Sequence, residues 1–202
     1  MLKTRIAVLV SGGGTNLQAI IYAERSGIIT DGEVAVVIAS NDKAYALERA
    51  KNSGIDGIVV AKKSSSQEEF EANIIRVLDE YKIDLIVLAG FMCILSEDFT
   101  KRYPERIINV HPSLIPSFCG KGFYGLHVHE AALGYGVKVT GATVHFVNEI
   151  PDGGRIIAQK AVEIQDGDTP EILQKRVMEQ AEWIILPQAV QKISAEIAAE
   201  RK

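Results

Sequence analysis

The sequence predicts an α/β fold: a doubly wound, mostly parallel sheet finished by a C-terminal antiparallel hairpin and a terminal helix. Three observations carry this. Apolar runs of strand length alternate with segments of helical periodicity through the first half of the chain. Runs such as Ile6-Ala7-Val8-Leu9-Val10 are apolar at successive positions, as in strands covered on both faces. After Pro112 the pattern changes, and two further runs flank Asp152-Gly153-Gly154 as the arms of a hairpin would.

Strands are expected at 5–10, 33–39, 57–61, 84–89 and 106–110, with helices at 16–25, 44–52, 67–81 and 97–103 between them. The N-terminal run is a buried strand, since it has neither a cleavage-site pattern nor the ~18 apolar residues of a membrane span. In the third helix Phe70, Ile74, Val77, Leu78 and Tyr81 recur at helical spacing and form its core-facing stripe. Ser64-Ser65-Ser66 before it reads as a loop and cap. Residues 112–125 hold Pro112, Pro116, Gly120, Gly122 and Gly125, too irregular for a core element and suited to a mobile active-site loop. A short helix at 126–133 follows, then hairpin strands at 139–147 and 155–162. Thr169-Pro170 supplies a capping residue and a first-turn proline for the last helix, expected to break at Pro187.

The 202 residues suit a single domain, 1–202, with a phosphate-binding half at 1–110 and a second half at 111–202. Apolar residues make up 47% and charged residues 24%, and the net charge of −4 gives no reason to expect nucleic acid as a partner. Cys93 and Cys119 are too isolated for a disulfide framework or a zinc knuckle, which points to a reducing cytoplasm. No membrane partner is expected, and the chain is expected to act as a monomer or homodimer.

Asn109 and His111 stand two apart at the end of the fifth strand, so both side chains project from one face just before Pro112 ends the ladder. An amide can stabilise the oxyanion of a tetrahedral intermediate, an imidazole can move a proton near neutral pH, and a carboxylate such as Asp152 behind the ring favours its charged form. These are the parts for handling a carbonyl. Taken singly they are equally a hydrogen-bonded strand end and a turn. Ser11-Gly12-Gly13-Gly14-Thr15-Asn16-Leu17 joins the first strand to the first helix, where backbone N–H groups meet an anion. Leu17 replaces the third glycine of a dinucleotide fingerprint and no Gly-Lys-Ser/Thr follows, so one phosphate, as on a phosphoribose, fits better.

Together with Leu88-Ala89-Gly90-Phe91-Met92-Cys93-Ile94-Leu95, Asn109-Val110-His111-Pro112-Ser113-Leu114-Ile115-Pro116 and Gly141-Ala142-Thr143-Val144-His145-Phe146-Val147, this glycine segment resembles the glycinamide ribonucleotide formyltransferase family. The resemblance runs in order from the first strand to the last helix. It implies a Rossmann-like formyltransferase fold and transfer of the formyl group of 10-formyltetrahydrofolate, as co-substrate, to the amine of glycinamide ribonucleotide, with no metal. Carried over position by position, Asn109 holds the formyl oxygen, His111 is the proton donor, and Asp152 keeps the imidazole charged and oriented. Gly14, Thr15 and Asn16 match contacts to the substrate phosphate, and Glu182 matches a glutamate on the ribose hydroxyls. Met92, Cys93, Ile94 and Leu95, with Asn109 and Gln67, match the folate site. Cys93 stands where many members have arginine, and Gln67 falls near another arginine linked to folate.

The remaining histidines are expected to be peripheral, with His127 and His129 at the surface or capping and His145 supporting the site. Cys119 is expected to be incidental. Three alternatives remain. Water could accept the formyl group, although the hydrolases resemble this chain only beyond an extra N-terminal domain. An initiator tRNA or nucleotide sugar could accept it, although those relatives carry a further C-terminal domain. A catalytically silent phosphate-binding module is the third.

Overall fold

The computed structural model describes residues 2–63 and 65–201, so Ser64 of the expected loop and cap lies outside the described residues. The elements follow the chain as β1 (Thr4–Val10), α1 (Thr15–Arg25), β2 (Gly32–Ala39), α2 (Ala46–Asn52), β3 (Asp56–Val59), α3 (Gln67–Glu80), β4 (Leu85–Leu88) and α4 (Glu97–Arg102). Then come β5 (Ile107–His111), α5 (Leu126–Tyr135), β6 (Val139–Phe146), β7 (Ile156–Glu163), α6 (Pro170–Val177), a π-helical turn (Met178–Glu182) and α7 (Trp183–Glu200). Among the described residues the strands form one sheet in the order β3-β2-β1-β4-β5-β6-β7. The pairs from β3 to β5 are parallel, while β6 runs antiparallel to both β5 and β7. This is the doubly wound sheet with a C-terminal hairpin that the alternation predicts.

Both faces of the sheet are dry at its centre. Along β1, Ile6, Val8 and Val10 join one apolar cluster, Ala7 and Leu9 join the other, and all five are 0% exposed. The first face is covered by α1 through Leu17 and Ile20 and by α7 through Leu186 and Val190. The second is covered by Phe70 and Ile74 of α3 and Phe99 of α4. Each such side chain contributes about 1.5–3 kcal/mol by leaving water. Ser66, Ser96 and Thr169 cap α3, α4 and α6 by accepting from the backbone N–H three residues on, and Pro170 occupies the first turn of α6.

The last helix departs from expectation. It does not break at Pro187, which lies inside α7; the interruption is the π turn at Met178–Glu182. Pro187 has no N–H for the carbonyl four residues back, yet the helix runs on through it, and the widened turn lies just upstream. β3 is also shorter than expected, because it is an exposed edge strand whose side chains have little to pack against. The hairpin connection spans 147–155 rather than a tight Asp-Gly-Gly turn. Gly154 is needed there, because a Cβ would lie 1.7 Å from the Phe146 carbonyl oxygen.

The strand order reverses between β1 and β4, and at such a switch point a crevice opens beyond the strand ends. The glycine turn leaves β1 there and residues 90–95 leave β4. The two segments are tied together: Ser11 N–H donates to the Gly90 carbonyl at 3.1 Å and Met92 N–H to Ser11 Oγ at 2.9 Å. Gly14 is the N-cap of α1 with φ 71°, and a Cβ there would lie 2.7 Å from Ala46 Cβ. Gly14→Ala is therefore expected to destabilise the fold by about 2 kcal/mol, from left-handed strain plus the clash. Urea denaturation checks this, and an unchanged midpoint contradicts the packing described.

Candidate active site

β5 ends at His111, as Pro112 dictates, and its register against β6 sets Asn109 opposite His145 and His111 opposite Thr143. Asn109 Nδ2 donates to His145 Nε2 at 3.2 Å, while His145 Nδ1–H donates to the Phe146 carbonyl at 2.8 Å. That pair of bonds fixes the orientation of the His145 ring and holds the Asn109 amide in place. His145 therefore supports the site from behind.

His111, 4% exposed, donates from Nε2 to the Phe118 carbonyl at 2.9 Å and turns Nδ1 toward Asp152 Oδ2 at 3.5 Å. The other Asp152 oxygen lies 3.5 Å from His145 Nε2, and the Gly120 N–H donates to Oδ2 at 2.8 Å. Phe118 and Asp152 both have positive φ, 49° and 57°. Such backbone strain in non-glycine residues persists where the surroundings hold it, characteristically at functional sites. Here both strained residues are partners of one imidazole.

The electrostatics correct one expectation. Burial pushes the His111 pKa below its ordinary 6.5; Asp152 and the Phe118 carbonyl work the other way without overcoming it, and His145 adds to the fall. Asp152 thus favours the charged ring, yet the unliganded imidazole is held toward the neutral form. Burial also works to raise the Asp152 carboxyl, but the His145 ring, the His111 charge and the Gly120 N–H together hold it below 3.8. The two directions agree on an ionised Asp152 beside a neutral His111, the attraction between them growing as the ring takes a proton.

Asn109, His111 and Asp152 share the wall of a cavity of about 700 Å³. One side of it carries Met92, Cys93 and Ile94; Met92 and Ile94 are 55% and 69% exposed, an apolar strip open to a flat ring. Leu95 is buried in the core and reaches only a smaller adjoining cavity of about 120 Å³ behind Asn109. Gln67 lies outside both walls. It donates to the Ile94 carbonyl at 3.0 Å and to Glu71 at 2.6 Å, and accepts from Lys62 Nζ at 2.7 Å, so it anchors the strip from below. Burial pushes the Cys93 thiol up, against the pull of Ser40 and Lys62.

A second part of the cavity wall carries Asn16 and Glu182. Asn16 Nδ2 donates to Glu182 Oε2 at 2.6 Å, and complete burial raises the Glu182 carboxyl pKa. The π turn is what brings Glu182 inward, 166 residues from its partner. Gly14 sits behind this wall as the helix cap. Thr15 faces a separate groove of about 550 Å³ between α1 and α7, with its Oγ1 3.9 Å from Met178 Sδ.

Loop 112–125 supplies what sequence reasoning missed: the Phe118 carbonyl and Gly120 N–H are backbone groups, which side-chain patterns do not reveal. His127 is exposed and pairs with Glu130, but His129 is 0% exposed, contrary to the expectation of a surface or capping residue. Cys119 donates to the Pro116 carbonyl at 3.4 Å, and burial and then Asp152 push its thiol up, so it is no thiolate nucleophile.

Residues 4–190 match the family described as formyl transferase. The phosphoribosylglycinamide formyltransferase of Haemophilus influenzae is 44% identical to this chain over 91% of this chain and 84% of its own length. The chain belongs to the phosphoribosylglycinamide formyltransferase family. Family members of known structure superpose closely: the glycinamide ribonucleotide transformylase 1 of Symbiobacterium toebii, 42% identical, gives a TM-score of 0.89 over 96% of this chain and 89% of that one. Other relatives are longer. This chain spans 61% of the chloroplastic phosphoribosylglycinamide formyltransferase of Arabidopsis thaliana, at 39% identity, and 19% of the trifunctional purine biosynthetic protein adenosine-3 of Gallus gallus, at 42%. Among the described residues no helix is long and apolar enough to cross a membrane.

Proposed function

We propose that this protein transfers the formyl group of 10-formyltetrahydrofolate to the amine of glycinamide ribonucleotide, a reaction of purine biosynthesis, with Asn109, His111 and Asp152 as its catalytic groups. The observation that carries the reading is their convergence on one cavity whose two sides differ in chemistry. The folate rings lie on the apolar strip Met92, Cys93 and Ile94. The nucleotide lies against Asn16 and Glu182, with its phosphate at the N-terminus of α1, whose first-turn N–H groups have no partner within the helix and which Gly14 caps without a side-chain hydrogen bond. Lys62, hydrogen-bonded to Gln67, is a cation beside the strip for the carboxylates of the folate tail.

The amine nitrogen attacks the formyl carbon, and the carbonyl oxygen becomes an oxyanion held by the Asn109 amide. The amine, now positive, must lose a proton, and the leaving folate nitrogen must gain one. His111 can serve both, because Nε2–H is committed to Phe118 and the lone pair of Nδ1 remains. A proton on Nδ1 lies beside the Asp152 carboxylate, which stabilises the imidazolium for as long as it exists. Return of the proton to folate nitrogen breaks the carbon–nitrogen bond and restores the carbonyl.

Incubating the protein with isotope-labelled formyl-folate and glycinamide ribonucleotide tests the reading. Label is expected in the formylated nucleotide, identified by mass spectrometry. Label recovered only as free formate would replace transfer by hydrolysis.

A further inference from the structure

His129 lies in α5, fully buried at 0% exposure between Val128 and Ala132 of the same helix turn, and it contributes to the wall of the reaction cavity. Neither Nδ1 nor Nε2 has a hydrogen-bond partner in the protein. A neutral imidazole carries one N–H and one lone pair, and burying both unmet sacrifices their hydration with nothing in return. An apolar side chain of similar size would avoid that cost, so a buried histidine here calls for a partner from outside the chain. Burial, with a smaller contribution from His111, pushes the ring down to about 4, so it stays neutral and keeps both functions, donor and acceptor.

The surroundings indicate which ligand supplies the partner. α5 packs against α6, and the cavity wall on that side continues through Gln174, Met178 and Glu182 to Asn16. Asn16 Oδ1 is also buried without a partner, while its amide nitrogen donates to Glu182. The unmet groups thus line the same cavity as Asn109 and His111. A ligand group that both donates and accepts, such as a sugar hydroxyl or a carboxamide, complements them.

We infer that His129 is a direct binding residue for the acceptor substrate, hydrogen-bonding the hydroxyl- and amide-bearing half of the ribonucleotide. The inference rests on the transferase reading above. It distinguishes His129 from His111, since it assigns binding and no proton transfer to the former.

Steady-state kinetics with each substrate varied in turn test it. His129→Phe keeps bulk and removes both polar atoms; it is expected to raise KM for glycinamide ribonucleotide about tenfold or more, leaving KM for formyl-folate and kcat within about twofold. His129→Gln, which restores a donor and an acceptor, is expected to recover most of the loss. A nucleotide KM unmoved in His129→Phe, or both KM values rising together, overturns the assignment. Should the Phe variant fail to fold, nitrogen NMR of the wild-type imidazoles decides: the His129 nitrogens are expected to shift when glycinamide ribonucleotide alone is added, and unmoved resonances overturn the assignment. Wild-type protein that transfers no formyl group overturns the transferase reading along with this one. Wild-type protein that transfers while His129 is silent in both measurements overturns this one alone.

Discussion

His111→Ala is expected to lower kcat by about 10²–10⁴, the range that a positioned proton-transfer group contributes. KM for both substrates should stay within about threefold, because neither the wall at Asn16 and Glu182 nor the strip at Met92 and Ile94 depends on the ring. The loss concentrates in kcat because the imidazole acts only once the amine has begun to bond to carbon. The fold should tolerate the change: His111 is the last residue of β5, and its Nε2 bond to Phe118 ties down a loop rather than the sheet. Steady-state assays with both substrates check this. Near-normal turnover would assign proton transfer elsewhere and remove the chemical basis of the site.

The second large effect concerns pH. Turnover requires the neutral His111 ring, so activity is expected to rise with pH through the imidazole pKa, on a limb lying below the ordinary 6.5 because burial depresses that value. Asp152 is the strongest influence raising it. Asp152→Asn keeps the side-chain shape and an oxygen for the Gly120 N–H, and asparagine tolerates the positive φ at this position, so the backbone is spared. With the carboxylate gone, the ring loses its attraction for a proton and the limb should move to lower pH. Plateau turnover should fall by about 10²-fold or more, because the imidazolium formed in the reaction has lost its counter-charge. A kcat/KM profile across pH reports both changes, and an unmoved limb would refute the role assigned to Asp152.

What could be read in the sequence was what repeats or caps. The unbroken apolar run of β1 disclosed burial on both faces, Ser66 and Thr169 marked helix starts, and Pro112 marked the strand end that carries Asn109 and His111. The meeting of Asp152 with His111 was legible only through resemblance, since residues 41 apart in sequence have no local pattern to link them. Three features were hidden for distinct reasons. Phe118 and Gly120 act through backbone atoms, and any residue able to bear the conformation could supply them. The burial of His129 depends on how α5 docks on α6, and a His-x-His pair in a short helix gives no sign of which ring turns inward. Pro187 suggested a break because proline removes a donor, whereas the helix runs on through it and the π turn just upstream delivers Glu182 to the cavity. The neutral state of His111 was misjudged for a related reason: the carboxylate neighbour was visible in the sequence, and the depth of burial that outweighs it was not.

Delivery of a formyl group to a nucleotide amine is the reaction proposed for these side chains. Rapid mixing of the wild-type protein with 10-formyltetrahydrofolate, with and without glycinamide ribonucleotide, tests it most directly. Formyl-folate is expected to be consumed only when the nucleotide is present, one formylated nucleotide appearing for each tetrahydrofolate released. Consumption at the same rate without the nucleotide would contradict it.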